Sequence, residues 1–296
     1  MLNPSPRETF LEIADRGKTA WWRYFASCIL AFLISIVFDV AITLCLRALH
    51  WLPPDIASEI LEPSRPPFFF AGTGTIFGTL LIGLIIAIAL VQRKAIGDVI
   101  GRWSWSLCGL AIVIWAAAEV IAGVMDFVLV PAGFRLTAAG GTLGLALWAL
   151  LGLSVQTFCE EFIFRGYLTQ AFLLATKNPL AAALVSGLLF GAMHLPNGAP
   201  QAVSAGLFGI VTSLIAIRTG GIAFSFGLHL LNNFFGAVVI VSTDDVFHGS
   251  PGLISQNTPQ LTWWDVAVTA AMLAGTLWLT YRIDYSLQPA RKVKRQ

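Results

Sequence analysis

The chain has 296 residues, 57% hydrophobic and only 11% charged, with a mean hydropathy of +0.78 and a formal net charge of +2. That is far more apolar than a soluble domain of average composition, and it marks a polytopic membrane protein. Charge so slight and so dispersed offers no basic stripe to neutralise a phosphate backbone, which excludes nucleic acid as a partner.

Residues 1–20 are polar and mixed in charge, so no cleavable signal peptide is expected ahead of the first apolar run, which serves as an uncleaved anchor. A hydrocarbon core of roughly 30 Å needs about 20 helical residues to cross. About eight stretches qualify: 24–46, 68–91, 105–130, 142–176, 179–197, 202–217, 221–241 and 263–281. The expected fold is therefore all-α, a polytopic integral membrane helix bundle forming a single membrane domain over 1–296. The loop after the first span is rich in proline and acid (Pro53, Pro54, Asp55, Glu59, Glu62), and the loop at 242–262 carries Asp244 and Asp245. Both read as outer-face connections.

Basic residues set orientation. With the N-terminus in the cytoplasm, Arg7, Arg16, Lys18, Arg23, Arg93, Lys94, Arg102, Lys177, Arg218, Arg282, Arg291, Lys292, Lys294 and Arg295 fall inside, against Arg47, Arg65 and Arg135 outside. Both termini are thus expected in the cytoplasm. Trp21, Trp22, Trp51, Trp103, Trp105, Trp263 and Trp264 cluster at span ends, where indoles prefer the headgroup level. Gly74-x-x-x-Gly78, Gly140-x-x-x-Gly144 and Gly187-x-x-x-Gly191 hint at close helix contacts. Cys28, Cys45, Cys108 and Cys159 show no CxxC spacing and read as small hydrophobes. No internal repeat is evident.

Three motifs place ionisable groups inside apolar runs, where they are costly and mark a site by default: Glu160-Glu161-x-x-x-Arg165, Phe190-x-x-x-His194 and His229-x-x-x-Asn233. The fourth stretch, 142–176, would cover roughly 52 Å as a helix, so it must tilt, bend or project. Lys177-Asn178-Pro179 then turns the chain back. Glu160 and His194 lie equally far along the chain from Lys177, so an antiparallel helix pair brings them to one level, roughly 25 Å from the turn. His229 and Asn233 share a helix face. They lie roughly 12–20 Å along their helix from the Arg218–Gly221 turn, so they meet the first pair only if the 142–176/179–197 hairpin projects beyond the membrane.

Arg165, one turn from Glu161, can neutralise it, leaving Glu160 to take a proton from water with the help of His194. His229 and Asn233 could then donate to a developing oxyanion. Alternatively, Glu160, His194, His229 and Asn233 could hold a divalent metal such as zinc that activates the water. Each motif alone has a plainer reading, as an interfacial ion pair, an interhelical hydrogen bond or, for Phe190, packing. Asp39, Glu119 and Asp126 are buried acids without a motif.

These residues resemble the CAAX prenyl protease 2 and bacteriocin-processing (CPBP, or Abi) family of intramembrane proteases. Glu160-Glu161-Phe-Ile-Phe-Arg165 is similar to its EExxxR motif, Phe190-Gly-Ala-Met-His194 to FxxxH, and His229-Leu-Leu-Asn-Asn233 to HxxxN/D, in the same order, within a core at 142–241. The resemblance implies an endopeptidase with Glu160 as the water-activating carboxylate, His194 assisting, His229 and Asn233 completing the site, and a cytoplasm-facing cavity. Glu161, Arg165 and Phe190 would support the site. It also implies a peptide or protein substrate, one option being a lipid-modified one, and a multi-pass protein of the bacterial inner membrane. The motifs leave the metal open. HExxH, GxSG and GxGD are absent from the sequence, which disfavours other intramembrane protease chemistries. Two readings from other classes stand beside the enzyme: a non-enzymatic immunity or scaffold protein, and a proton-coupled transporter.

Overall fold

The computed structural model describes residues 9–52, 55–137 and 141–287. Arg7, Pro53, Pro54, Gly140, Arg291, Lys292, Lys294 and Arg295 lie outside the described residues.

Helices follow one another along the chain: α1 (Phe10–Ala14), α2 (Trp21–Ala48), α3 (Ile56–Glu59), α4 (Pro66–Val91), α5 (Ile96–Ile100), α6 (Trp105–Leu129) and α7 (Thr142–Glu161). A π-helical segment, Phe162–Leu168, joins α7 without a break to α8 (Thr169–Thr176). Then come α9 (Pro179–Met193), α10 (Ala199–Thr219), α11 (Ala223–Phe234), a second π-helical segment (Phe235–Val239) and α12 (Thr262–Leu287). Each of the eight expected apolar stretches is helical, and the chain is a multi-pass membrane bundle. Helices α2, α4, α6, α10 and the 142–176 run are long and apolar enough to cross a membrane. Large apolar side chains bare to the surroundings, such as Phe25, Phe32 and Leu44 on α2 and Val113, Ile121 and Val128 on α6, make sense only against lipid.

The stretches at 179–197 and 221–241 depart from simple spans. Helix α9 has 15 residues, a reach of about 22 Å, short of the hydrocarbon thickness. It stops at His194 because Pro196 and Gly198 follow, Gly198 taking φ +100. Asn178 caps its start by accepting from the Leu180 and Ala181 N–H groups, and Lys177 closes α8 in the left-handed region. The α8/α9 hairpin is covered by α1, whose Phe10 packs with Leu173 and Ala182.

Close approach is concentrated where α9 crosses α10. A side chain at Gly187 would meet the Ile210 backbone nitrogen at 2.4 Å, and one at Gly191 the Ala202 carbonyl at 2.7 Å. The Gly187/Gly191 pair is therefore a real packing seam, whereas Gly74 and Gly78 meet α7 at ordinary contact distance and Gly144 meets nothing within 4 Å.

The all-helical expectation misses a small sheet of order β1-β3-β2: β1 (Phe134–Leu136), β2 (Ile240–Ser242) and β3 (Ile254–Gln256). Strand β3 runs antiparallel to β1, with Arg135 opposite Ser255, and parallel to β2, with Val241 opposite Ser255. Three residues per strand leave no periodicity to read. At the opposite end of the bundle, Gly101 bridges Gly221 and Arg102 Nη2 donates to the Thr219 carbonyl at 2.9 Å, tying the start of α6 to the α10–α11 turn.

Candidate active site

Helix α7 delivers Glu160 and Glu161 side by side in its last turn, and the π-helical segment that follows sets where Arg165 falls. The wider turn leaves the Phe164 carbonyl to side-chain donors: Thr169 Oγ1 and Ser186 Oγ each donate to it at 2.7 Å. Gly166 lies against α5, where a Cβ would meet the Val99 carbonyl at 2.9 Å. The segment is thus held by packing that the local sequence does not announce.

Glu161 and Arg165 are both wholly buried, and Glu161 Oε1 lies 3.2 Å from Arg165 Nη1. The guanidinium is further held by Nε donating to Thr212 Oγ1 at 2.8 Å and by the Phe190 ring, whose centroid lies 4.1 Å from Cζ. Phe190 therefore does more than fill space: its π-face meets a cation that has lost its water. Phe208 adds a second ring at 5.4 Å.

Helix α11 brings His229 to the same two carboxylates. Its Nδ1 lies 2.7 Å from Glu161 Oε1, and its Nε2 lies 3.5 Å from Glu160 Oε2. A carboxylate only accepts, so Nδ1 carries the proton and Glu161 fixes the tautomer and orientation of the ring, leaving Nε2 towards Glu160. Glu160 differs from its neighbour in two ways. Its side chain keeps 13% exposure against 0% for Glu161, and its contact with His229 is the looser one, 3.5 Å against 2.7 Å.

One turn further along, Asn233 Nδ2 donates to Gln156 Oε1 at 3.0 Å, while Asn232 accepts from Trp115 Nε1 at 3.2 Å. Gln156 is a contact that motif reading missed. Its only sequence signal is its place one turn before Glu160 on the same helix face.

His194 ends α9, with Nδ1 at 2.8 Å from the Phe190 carbonyl. Since a carbonyl cannot donate, Nδ1 holds the proton here too and Nε2 presents a lone pair. The ring rests on Phe190, with centroids 4.6 Å apart, and His229 meets the same ring edge-on at 5.7 Å.

A cavity of about 330 Å³ connects these groups, within the roughly 300–1,000 Å³ range of ligand pockets. His194, His229, Asn233 and Phe190 line its wall. Glu160 does not; it stands behind His229. So Glu160, Glu161, Arg165 and His229 form one contact cluster, Asn233 adjoins it through α7, and His194 shares the cavity rather than the cluster. Among the described residues no three His, Cys, Asp or Glu side chains converge as a metal site would require. The donor set, as arranged, does not fit a resident divalent ion.

The remaining acids within or beside the apolar segments divide. Asp39 accepts from Thr79 Oγ1 at 2.8 Å between α2 and α4, away from the site. Glu119 and Asp126, on α6, line the cavity. So does Asp245, in the loop after β2: desolvation pushes its pKa up, opposed by the Val246 amide, Gln201 and the nearby His194 and His248 rings.

Residues 142–235 match the protein-family model described as Rce1-like, type II CAAX prenyl endopeptidase. The match spans all three motifs and bears out the resemblance drawn from them. Over 278 residues the chain is also 27% identical to the uncharacterized protein YyaK of Bacillus subtilis (strain 168), covering 88% of this chain and 93% of that protein.

Proposed function

We propose that the chain is an intramembrane endopeptidase of the CAAX-protease type, in which Glu160, assisted by imidazole, activates water for attack on a peptide carbonyl. The observation that carries the reading is the division of labour between adjacent carboxylates. Glu161 is spent through Oε1 on Arg165 and His229, while Glu160 keeps 13% exposure and stands 3.5 Å from His229 Nε2. A structural ion pair would need only one of the two acids.

In this mechanism a water held between Glu160 and the imidazoles loses a proton to the Glu160 carboxylate as its oxygen bonds to the carbonyl carbon. The carbonyl π electrons move to oxygen, where the second N–H of Asn233 is available, the first being engaged by Gln156. Collapse breaks the C–N bond, and the proton held by Glu160 or an imidazole passes to the leaving amine. His194 Nε2, bearing the lone pair, serves as the second proton carrier. Glu160 must reach the cavity past His229, and tightening of such contacts on substrate binding is ordinary in hydrolases. No step is routed through a metal, since the donors do not gather around one point.

The substrate is a peptide or protein segment, a lipid-modified one being within the reading, and the setting is a bacterial cell membrane. The test compares membrane peptides from cells with and without the protein, then assays the cleaved species with purified full chain. Glu160→Gln should abolish cleavage while folded yield in detergent stays at the wild-type level. Cleavage surviving in that variant would reject the assignment.

A further inference from the structure

An asparagine amide presents either an oxygen or an N–H to its surroundings, and the chemistry proposed for Asn233 uses it only as a donor. What decides its orientation lies outside the three motifs. Side chains from three helices are joined in a row: Trp115 Nε1 on α6 donates to Asn232 Oδ1 at 3.2 Å, Asn232 Nδ2 donates to Asn233 Oδ1 at 3.2 Å, and Asn233 Nδ2 donates to Gln156 Oε1 on α7 at 3.0 Å. Taken by themselves, the three amides could all be turned end for end and still bond to one another. The Thr157 hydroxyl, 3.3 Å from Gln156 Oε1, turns its proton to suit either arrangement, so the α7 end sets no direction.

The indole does set one. Its N–H donates and never accepts, so Asn232 must show it an oxygen and keep its own N–H groups for Asn233. Asn233 then shows Asn232 its oxygen and Gln156 an N–H, which leaves its second N–H as the open position of the amide. Asn233 lines the cavity wall. Glu119, one turn further along α6, accepts from the same Trp115 N–H and shares that proton without reversing it.

Packing holds the indole in place. Trp115 is buried and meets Phe208 edge-on, with centroids 6.0 Å apart. Nearer the start of the two helices, a side chain at Gly227 would meet the Cys108 carbonyl at 2.4 Å, so α6 and α11 lie close enough for Trp115 to reach Asn232. The row therefore starts from a rigid donor.

We infer that Trp115 and Asn232 are positioning residues: the indole N–H fixes the direction of the whole row and so aims the second N–H of Asn233 at the cavity. What that N–H does there rests on the peptidase reading, but the direction of the row does not depend on cleavage.

Two measurements on the full chain test it. Trp115 is replaced site-specifically by benzothienylalanine, which keeps the bicyclic ring and carries sulfur where the N–H stood. In lipid nanodiscs with isotope-labelled asparagine, the side-chain amide signals of Asn232 and Asn233, assigned with Asn232→Leu and Asn233→Ala, should both move on this replacement, although only Asn232 accepts from Trp115. A change confined to Asn232 overturns the inference, whether or not the protein cleaves peptides. With the cleaved species found as above for substrate, the same replacement should lower kcat about tenfold or more and leave KM within about twofold, since a misaimed catalytic group is that costly. In an Asn233→Ala background it should change the residual kcat by less than about twofold, because members of one network do not act additively. Asn232→Leu should show the same dependence on background. Equal losses with and without Asn233 would assign Trp115 and Asn232 to packing alone and overturn the inference.

Discussion

Arg165 and Phe190, contributed by α7's π-helical extension and by α9, meet face on, the guanidinium carbon 4.1 Å from the ring centroid. Replacing Phe190 by leucine keeps an apolar side chain of similar reach and removes the π-face. We expect a loss of about 2 kcal/mol or more, since a desolvated cation–π contact is worth about that much. Phe190→Ala should lose roughly 3–5 kcal/mol, because a cavity is added. Thermal unfolding in detergent, compared across the two variants, separates the ring's electrostatic share from its volume.

Arg165→Met strands Glu161 at zero exposure. Breaking a buried pair on one side costs roughly 3–5 kcal/mol, whereas replacing both partners is far gentler. The double variant Glu161→Met/Arg165→Met, which leaves no acceptor for His229 Nδ1, should therefore recover much of the folded yield lost by Arg165→Met. Activity should not return with it, because Glu161 also orients His229. Recovery of both would mean that the His229 contact at 2.7 Å is dispensable.

Gln156→Leu removes the partner of Asn233 without touching Glu160. Misplacing a catalytic group by about 1 Å can cost on the order of a hundredfold, so kcat should fall about tenfold or more with KM little changed. A fall confined to KM would place Gln156 in substrate binding instead.

The arrangement of donors bears on metal dependence. Prolonged treatment of the purified enzyme with a chelator should leave cleavage within about twofold of the untreated rate, and elemental analysis should find less than stoichiometric zinc; a true zinc hydrolase loses its water-activating ion and its activity together. Activity lost to the chelator and restored by zinc would require His194 and His229 to approach more closely than they do here.

Lys94 lies in the loop after α4 and is 4% exposed, and desolvation lowers its pKa to about 8 against the opposing pull of Asp98 and Asp15. The folded protein therefore binds fewer protons than the unfolded chain between about pH 8 and 10.5. Stability attributable to this group is full above the upper value and is lost as pH falls towards the lower. Measured against Lys94→Met, the wild type should gain on the order of 3 kcal/mol across that window. A flat difference would show that the ammonium is better solvated than its burial implies.

Much of the bundle was legible in the sequence because membrane helices announce themselves by length and apolarity. The stretch 179–197 reads as a full span, yet Pro196 and Gly198 stop α9 at Met193. Equal spacing of Glu160 and His194 from Lys177 suggested a common depth, and both do belong to one hairpin. What the spacing could not convey was azimuth. Glu160 ends behind His229 and His194 on the cavity wall, because the π-helical segment depends on α5 packing against Gly166 and on Ser186 of another helix. Gln156, Thr212 and the sheet escaped for the same reason: each acts through a partner far along the chain. The sharing of Glu161 between Arg165 and His229 needed a third helix in place.

The wide turn at 162–168 also sets the phase between the two halves of the long helix. On one side of it the acids look towards α11; on the other, Gly166 and Gln170 look towards α5, where Gln170 donates to the Asp98 and Val99 carbonyls. The wide turn absorbs about one extra residue, so a change that made these residues rewind to ordinary pitch without shortening the chain would swing one half by about 100°. The chain could then seat either its carboxylates or its anchor, but not both, so this short stretch keeps the two halves of the helix in phase.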